Sequence, residues 1–174
     1  MNIFYLDRDP EIAAQMLCDK HVVKMILESA QIMSTSHRVC GSNDYADEVG
    51  LYKLTHMNHP SCKWARADRQ NYMWLYKHMV ALTKEYTYRY DKHHAIERLV
   101  PIGLREAFKN SFKTYTDPPQ CMPDHCKNED TVSAYQTYYI IEKSKFATWK
   151  RRNTPEWFDD KKRTILGLHD EAHL

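Results

Sequence analysis

Asp19–Arg38 reads DKHVVKMILESAQIMSTSHR and predicts one helix with two unlike faces. At about 3.6 residues per turn, Val22, Val23, Met25, Ile26, Ser29 and Met33 sweep out a broad apolar arc. The remaining strip carries Lys20, Lys24, Gln31 and Thr35 nearly in line, with Glu28 and His21 beside them. Two readings fit that strip. It can face water, with Lys20, Lys24 and Glu28 at i, i+4 and i+8 forming surface ion pairs. Alternatively it lines a cleft where two ammonium groups, a carboxylate and an imidazole converge.

Composition narrows the setting. A chain of 174 residues with 43% hydrophobic and 12% aromatic residues buries an ordinary core as one domain. Only 4 glycines, against abundant Leu, Met, Ala, Lys and Glu, favour helices over turn-rich β architecture. The net charge of +2 neither requires nor excludes a polyanionic partner, so local charge distribution has to decide. MNIFYLDRDP has neither a basic start nor a long apolar run, so no signal peptide is expected. No apolar run approaches the roughly 18 residues of a membrane span. Five cysteines without an export signal predict reduced thiols, and the expected protein is soluble and intracellular.

Working outward from the central helix, Asn2–Leu6 is a short apolar strand or an extended arm, so residues 1–8 form an N-terminal arm. Asp9 and Pro10 signal a helix start over Glu11–Leu17, and Asp19 suits a second cap. The polar stretch 39–54 reads as a surface loop. After His59-Pro60 a single long helix is expected over Ser61–Tyr90, its core stripe Trp64, Leu75, Tyr76, Met79, Leu82 and Tyr86. A further helix near His94–Phe108 is interrupted by Pro101. Pro118, Pro119 and Pro123 make 113–130 an irregular loop. Asp130 caps a helix over Thr131–Arg151, a short helix follows around Glu156–Arg163, and 164–174 is a polar tail. The expectation is a single all-α domain over 1–174, with about five or six helices.

Several clusters carry chemistry. THMNHPSCKWAR at Thr55–Arg66 gathers His56, Asn58, His59, Trp64 and Arg66 around a helix start, where unpartnered N–H groups attract phosphate. The plain alternative is that Pro60 starts the helix and the histidines decorate a loop. Aromatic and basic residues alternate at Trp64–Tyr76 and Tyr86–Tyr90, a pattern suited to stacked bases and phosphates, or to a core stripe. Lys143, Lys145, Lys150, Arg151, Arg152, Lys161, Lys162 and Arg163 make the C-terminal part locally basic. Cys121, His125 and Cys126 lie close, and His56-x-x-His59 adds imidazoles. No CxxC pair is present, so no metal and no cofactor is expected. No nucleophile elbow, phosphate loop or dinucleotide fingerprint occurs.

Lys20-His21-Val22-Val23-Lys24 through Glu28 to Gln31 resembles a helix of the pyrimidine-dimer DNA glycosylases. The short apolar start at Ile3–Leu6, Asn58-His59-Pro60 opening a helix, and Glu85 to Arg89-Tyr90 resemble the same family, over about the first 90 residues. Met122-Pro123-Asp124 and Ala134–Trp149 resemble a narrower set of phage proteins. The resemblance implies an all-α, endonuclease V-like fold that grips distorted duplex DNA and cleaves an N-glycosidic bond in an infected host cell. It also implies attack on sugar C1′ by an N-terminal amine, assisted by a helix-borne glutamate. Asn2 predicts that Met1 is retained. With the helices aligned on Lys24, His21 falls where the phage enzymes keep their glutamate, and Glu28 is the carboxylate left on the strip. The expected catalytic residues are Glu28, His21 and Lys24. The expected substrate-binding residues are Lys20, Gln31, Asn58, His59, Arg66 and Trp64, and the expected partner is duplex DNA with a damaged or modified base. Two competitors remain: an enzyme on this scaffold acting on a free nucleotide or modified pyrimidine, and a non-catalytic protein that binds nucleic acid or a host factor.

Overall fold

Pro10 loses nothing at the first turn of a helix, because the N–H it lacks would have no partner there. Asp9 supplies the cap: its carboxylate accepts from the N–H groups of Glu11 and Ile12. In the computed structural model, which describes residues 1–100, 104 and 114–167, this opens α1 (Pro10–Met16). Then come α2 (Asp19–Cys40), α3 (Asn43–Glu48), α4 (Pro60–Ala67), α5 (Arg69–Tyr90), α6 (Thr131–Tyr138) and α7 (Glu156–Ile165). All regular elements among the described residues are helical. The all-α expectation holds, with seven α-helices among the described residues where about five or six were expected.

α2 is the central element. It packs against α5 and α4, while α1 lies along α5. Val22, Met25, Ile26, Ile32 and Met33 are fully buried, as the arc requires, whereas Val23 is 39% exposed. The polar strip divides. Its C-terminal end is internal: Thr35 is buried, and its hydroxyl donates to the carbonyl of Thr55 and accepts from the Thr55 N–H. Its N-terminal half, from His21 to Glu28, faces a cavity.

Several elements differ from expectation. Asp19 is not the cap of α2; Cys18 holds that position without a side-chain capping bond. The Asp19 N–H is met instead by the carbonyl of Thr148. α3 occupies the stretch expected to be loop, started by the Ser42 hydroxyl accepting from the Tyr45 N–H. The run Ser61–Tyr90 is two helices. Asp68 is extended, closing α4 and capping α5 through the Gln70 N–H, while its second oxygen accepts from Thr114 N–H. Finally, the helix expected over Thr131–Arg151 leaves α geometry after Tyr138, forms a π-helical turn over Tyr139–Lys143 and then unwinds. Distant partners claim the unwound chain: Asp19 accepts from Thr148 Oγ1 and Lys150 N–H, and Asp91 and Glu85 pair with Arg151 and Arg152. A 3-10 turn at Ala95–Leu99 stands where the helix over His94–Phe108 was expected, and most of 101–113 lies outside the described residues.

Beneath these helices runs the arm, extended rather than a strand, with Ile3, Phe4, Tyr5 and Leu6 all buried. Beside it, Arg89 is fully buried. It donates to Glu85, Asp19 and the carbonyls of Leu17 and Gln15, joining α1, α2 and α5.

Candidate active site

The N-terminal half of α2 places His21, Lys24 and Glu28 on one side of a cavity of about 300 Å³. The arm contributes Met1, Asn2 and Phe4, the cap of α4 contributes His59, and the proline-rich loop contributes Cys121. Tyr138 and Lys143 close it from α6 and the π-helical turn.

Asn2 fixes the arm against this cavity. Its side-chain oxygen accepts from the N–H groups of Ile3 and Phe4, and its amide donates to the Cys121 carbonyl at 2.8 Å. Phe4 adopts φ 55°, a left-handed conformation costing a side-chain-bearing residue on the order of 1 kcal/mol. That geometry stacks its ring on His21, with centroids 4.0 Å apart and planes inclined by 15°.

The charges form a compact set. Glu28, 17% exposed, accepts the Asn2 N–H at 3.4 Å and pairs with the Lys24 ammonium at 3.6 Å. Across the cavity Lys143 lies over the Tyr138 ring, 4.8 Å from its centroid. His59 Nδ1 accepts from the Ser61 N–H at 3.1 Å, so a neutral His59 carries its proton on Nε2. Burial, the amino group on Met1 and His56 all lower the His59 pKa against the opposing pull of Glu28. A neutral imidazole with a fixed N–H donor results. His21 is held neutral more strongly, its pKa pushed down to about 3 by burial and by Lys143, Lys24 and Lys20. Its Nδ1 lies 2.6 Å from the Tyr139 hydroxyl, which itself accepts from the Cys18 N–H. His21 is therefore a fixed neutral group near pH 7, not the titrating shuttle its residue type suggests.

Of the sequence-derived residues, the cavity gathers Glu28, His21, Lys24 and His59. Lys20 is exposed and is not among the cavity's lining residues, its ammonium 4.7 Å from the centre of the Phe146 ring. Gln31 is half-buried one turn beyond Glu28, and Asn58 is exposed beside His59. Arg66 is half-buried, with its charge acting on the thiols of Cys40 and Cys62. Trp64 lies in the core, 7% exposed, its indole donating to the Thr116 carbonyl. Sequence reasoning missed Phe4, Cys121, Tyr138 and Lys143 as cavity residues. No local spacing links them to α2, and only the two short apolar and proline-rich stretches hinted that those segments fold inward.

Residues 1–98, more than half of the chain, match the family model described as pyrimidine dimer DNA glycosylase. The chain belongs to that family. No curated protein and no solved structure matches it. Membership in a DNA glycosylase family implies DNA as the substrate. The glycosylase-family segment supplies the arm, α2 and the His59 cap, hence Glu28 and Lys24. Cys121, Tyr138 and Lys143 come from beyond it, so one wall of this glycosylase-family cavity is built by the chain's second half.

Proposed function

We propose that the protein is a DNA N-glycosylase that excises a damaged or modified base from duplex DNA, with Glu28 working at the scissile bond. The observation that carries this reading is the convergence of the Glu28 carboxylate with two amines, on Lys24 and Met1, in a chain of this family. Breaking the C1′–N bond sends its electron pair to the departing base and leaves positive charge on the sugar. A carboxylate held there stabilises that charge or deprotonates an attacking water. If an amine attacks instead, its nitrogen bonds to C1′ as the base leaves. Loss of the amine proton and opening of the sugar ring then give an imine. Lys24 and the amino group on Met1 are the two candidates for that nucleophile. Lys20, Lys143 and Arg66 are assigned to backbone phosphates, and the His59 Nε2–H to a phosphate or to the departing base.

Oligonucleotide duplexes carrying varied lesions, incubated with the protein, treated with alkali and resolved on gels, test the reaction. Abasic product is expected from at least one lesion, with binding that weakens steeply as salt rises. Glu28→Gln is expected to lower product formation by roughly 10²–10⁴-fold while retaining the fold and duplex binding. Borohydride trapping followed by peptide mapping distinguishes Lys24 from residue 1. If no lesion yields abasic product and borohydride traps no adduct, the glycosylase reading fails. Turnover of a free nucleotide with salt-insensitive kinetics would favour the alternative enzyme on this scaffold.

A further inference from the structure

Beside the cavity, the proline-rich loop and the helical turn after α6 bring together three side chains that the glycosylase reading does not use. The His125 imidazole, the Cys126 thiol and the Glu142 carboxylate offer donor atoms all within 4.8 Å of one another. His125 Nε2 is 3.2 Å from a Glu142 oxygen. Cys126 is buried while the other two are exposed, so the sulfur forms the floor of a site open to water on one side.

Local backbone geometry holds the three in place. A 3-10 turn over Asp124–Cys126, closed by the Cys126 N–H on Pro123 and the Lys127 N–H on Asp124, fixes the two neighbouring ligands. Glu142 projects from the π-helical turn, a backbone irregularity that re-aims side chains and recurs at functional sites.

We infer that His125, Cys126 and Glu142 bind one zinc-class divalent cation, which clips the proline-rich loop to the turn following α6. The donor set selects the ion. Sulfur with imidazole nitrogen suits zinc, whereas magnesium and calcium take oxygen ligands. Three protein ligands with a fourth position left for water is a familiar zinc arrangement. Bonds of about 2.0–2.3 Å place tetrahedral donors up to roughly 3.8 Å apart, so the exposed imidazole and carboxylate close onto the sulfur by side-chain rotation. The clip also has a reach beyond itself. Cys121, in the same loop, and Lys143, next to Glu142, both line the candidate active site, so one ion steadies the wall that the chain's second half builds.

The test uses the full chain and zinc sulfate, and does not depend on glycosylase activity. Equilibrium dialysis with metal analysis is expected to give one tightly bound zinc per chain, and the melting temperature is expected to rise with zinc and fall with a chelator. Cobalt(II) in place of zinc is expected to show a sulfur-to-cobalt charge-transfer band. His125→Ala and Cys126→Ser each weaken zinc binding by roughly tenfold or more. Cys126→Ser also removes the cobalt band, and Cys40→Ser, at an exposed thiol, changes neither. His125 is exposed, so its alanine variant keeps the fold, as circular dichroism verifies. Absence of stoichiometric zinc, affinity unchanged from the parent chain in both ligand variants, or a cobalt spectrum without the sulfur band overturns the site.

Discussion

His59 has two tasks that a single atom each performs. Nδ1 caps α4 by accepting the Ser61 N–H, and Nε2–H is the donor proposed to act on DNA in the cavity that His59 lines. Substitution separates them. Asparagine is itself a good N-cap, so His59→Asn is expected to leave the melting temperature nearly unchanged while reducing base excision. His59→Ala removes both, and is expected to cost about 1 kcal/mol in denaturant unfolding as well. Equal destabilisation by the two variants would show that capping is not what Nδ1 contributes. Residue-scale legibility was uneven in the same way. Glu28 and Lys24 were readable as an i, i+4 pair on one face, because that relation is local to the helix. The neutrality of His21 was not, because it depends on burial against Phe4 and on Lys143 from the far end of the chain.

At the scale of elements, caps decide where helices begin and long-range partners decide where they stop. Asp9 and Asp130 each accept from N–H groups two or three residues ahead, and both were legible because capping needs only neighbouring sequence. Asp68 is also an N-cap, but the apolar period from Trp64 to Tyr86 runs across it and masked the break. Its carboxylate satisfies Gln70 N–H and Thr114 N–H together. Asp68→Ala is therefore expected to lower stability by about 1–2 kcal/mol, measured by denaturant unfolding, with Asp68→Asn recovering only part of the loss, because its amide keeps one acceptor oxygen for the two N–H groups. The end of α6 had no such local marker. Thr148, Arg151 and Arg152 are drawn away by Asp19, Asp91 and Glu85, none of them near in sequence. Glu85 and Arg89, part of the family-like pattern, belong to this framework. Burial works against the Glu85 charge, but hydrogen bonds from Arg152 and Arg89 outweigh it and hold its carboxyl below the usual range.

For the molecule as a whole, three buried histidines set the response to acid. His21 is held at about 3, and His37 and His78 at about 4, chiefly by burial. An unfolded histidine titrates near 6.5, so between that value and the folded values the unfolded chain binds more protons. Stability from keeping these rings neutral is complete above about pH 6.5 and falls as pH drops towards 4, at about 1.4 kcal/mol per pH unit for each ring. Urea midpoints measured from pH 7.5 to 4.5 are expected to decline steadily. Replacing His37 by glutamine is expected to flatten the slope; an unchanged slope would remove that ring from the account.

The sequence by itself determined the all-α class, the inward face of α2, the caps at Asp9 and Asp130, and the Lys24–Glu28 pair. All of these follow from periodicity and contacts within a few residues. Only the tertiary structure decided that the strip from His21 to Glu28 lines a cavity while Thr35 is packed away beneath the chain at Thr55. It also decided that the arm, Cys121, Tyr138 and Lys143 complete that cavity, and that His125, Cys126 and Glu142 meet beside it. The physical reason is range. A helix fixes which residues share a face, but whether that face meets water or another part of the chain depends on segments from 20 to 118 residues away.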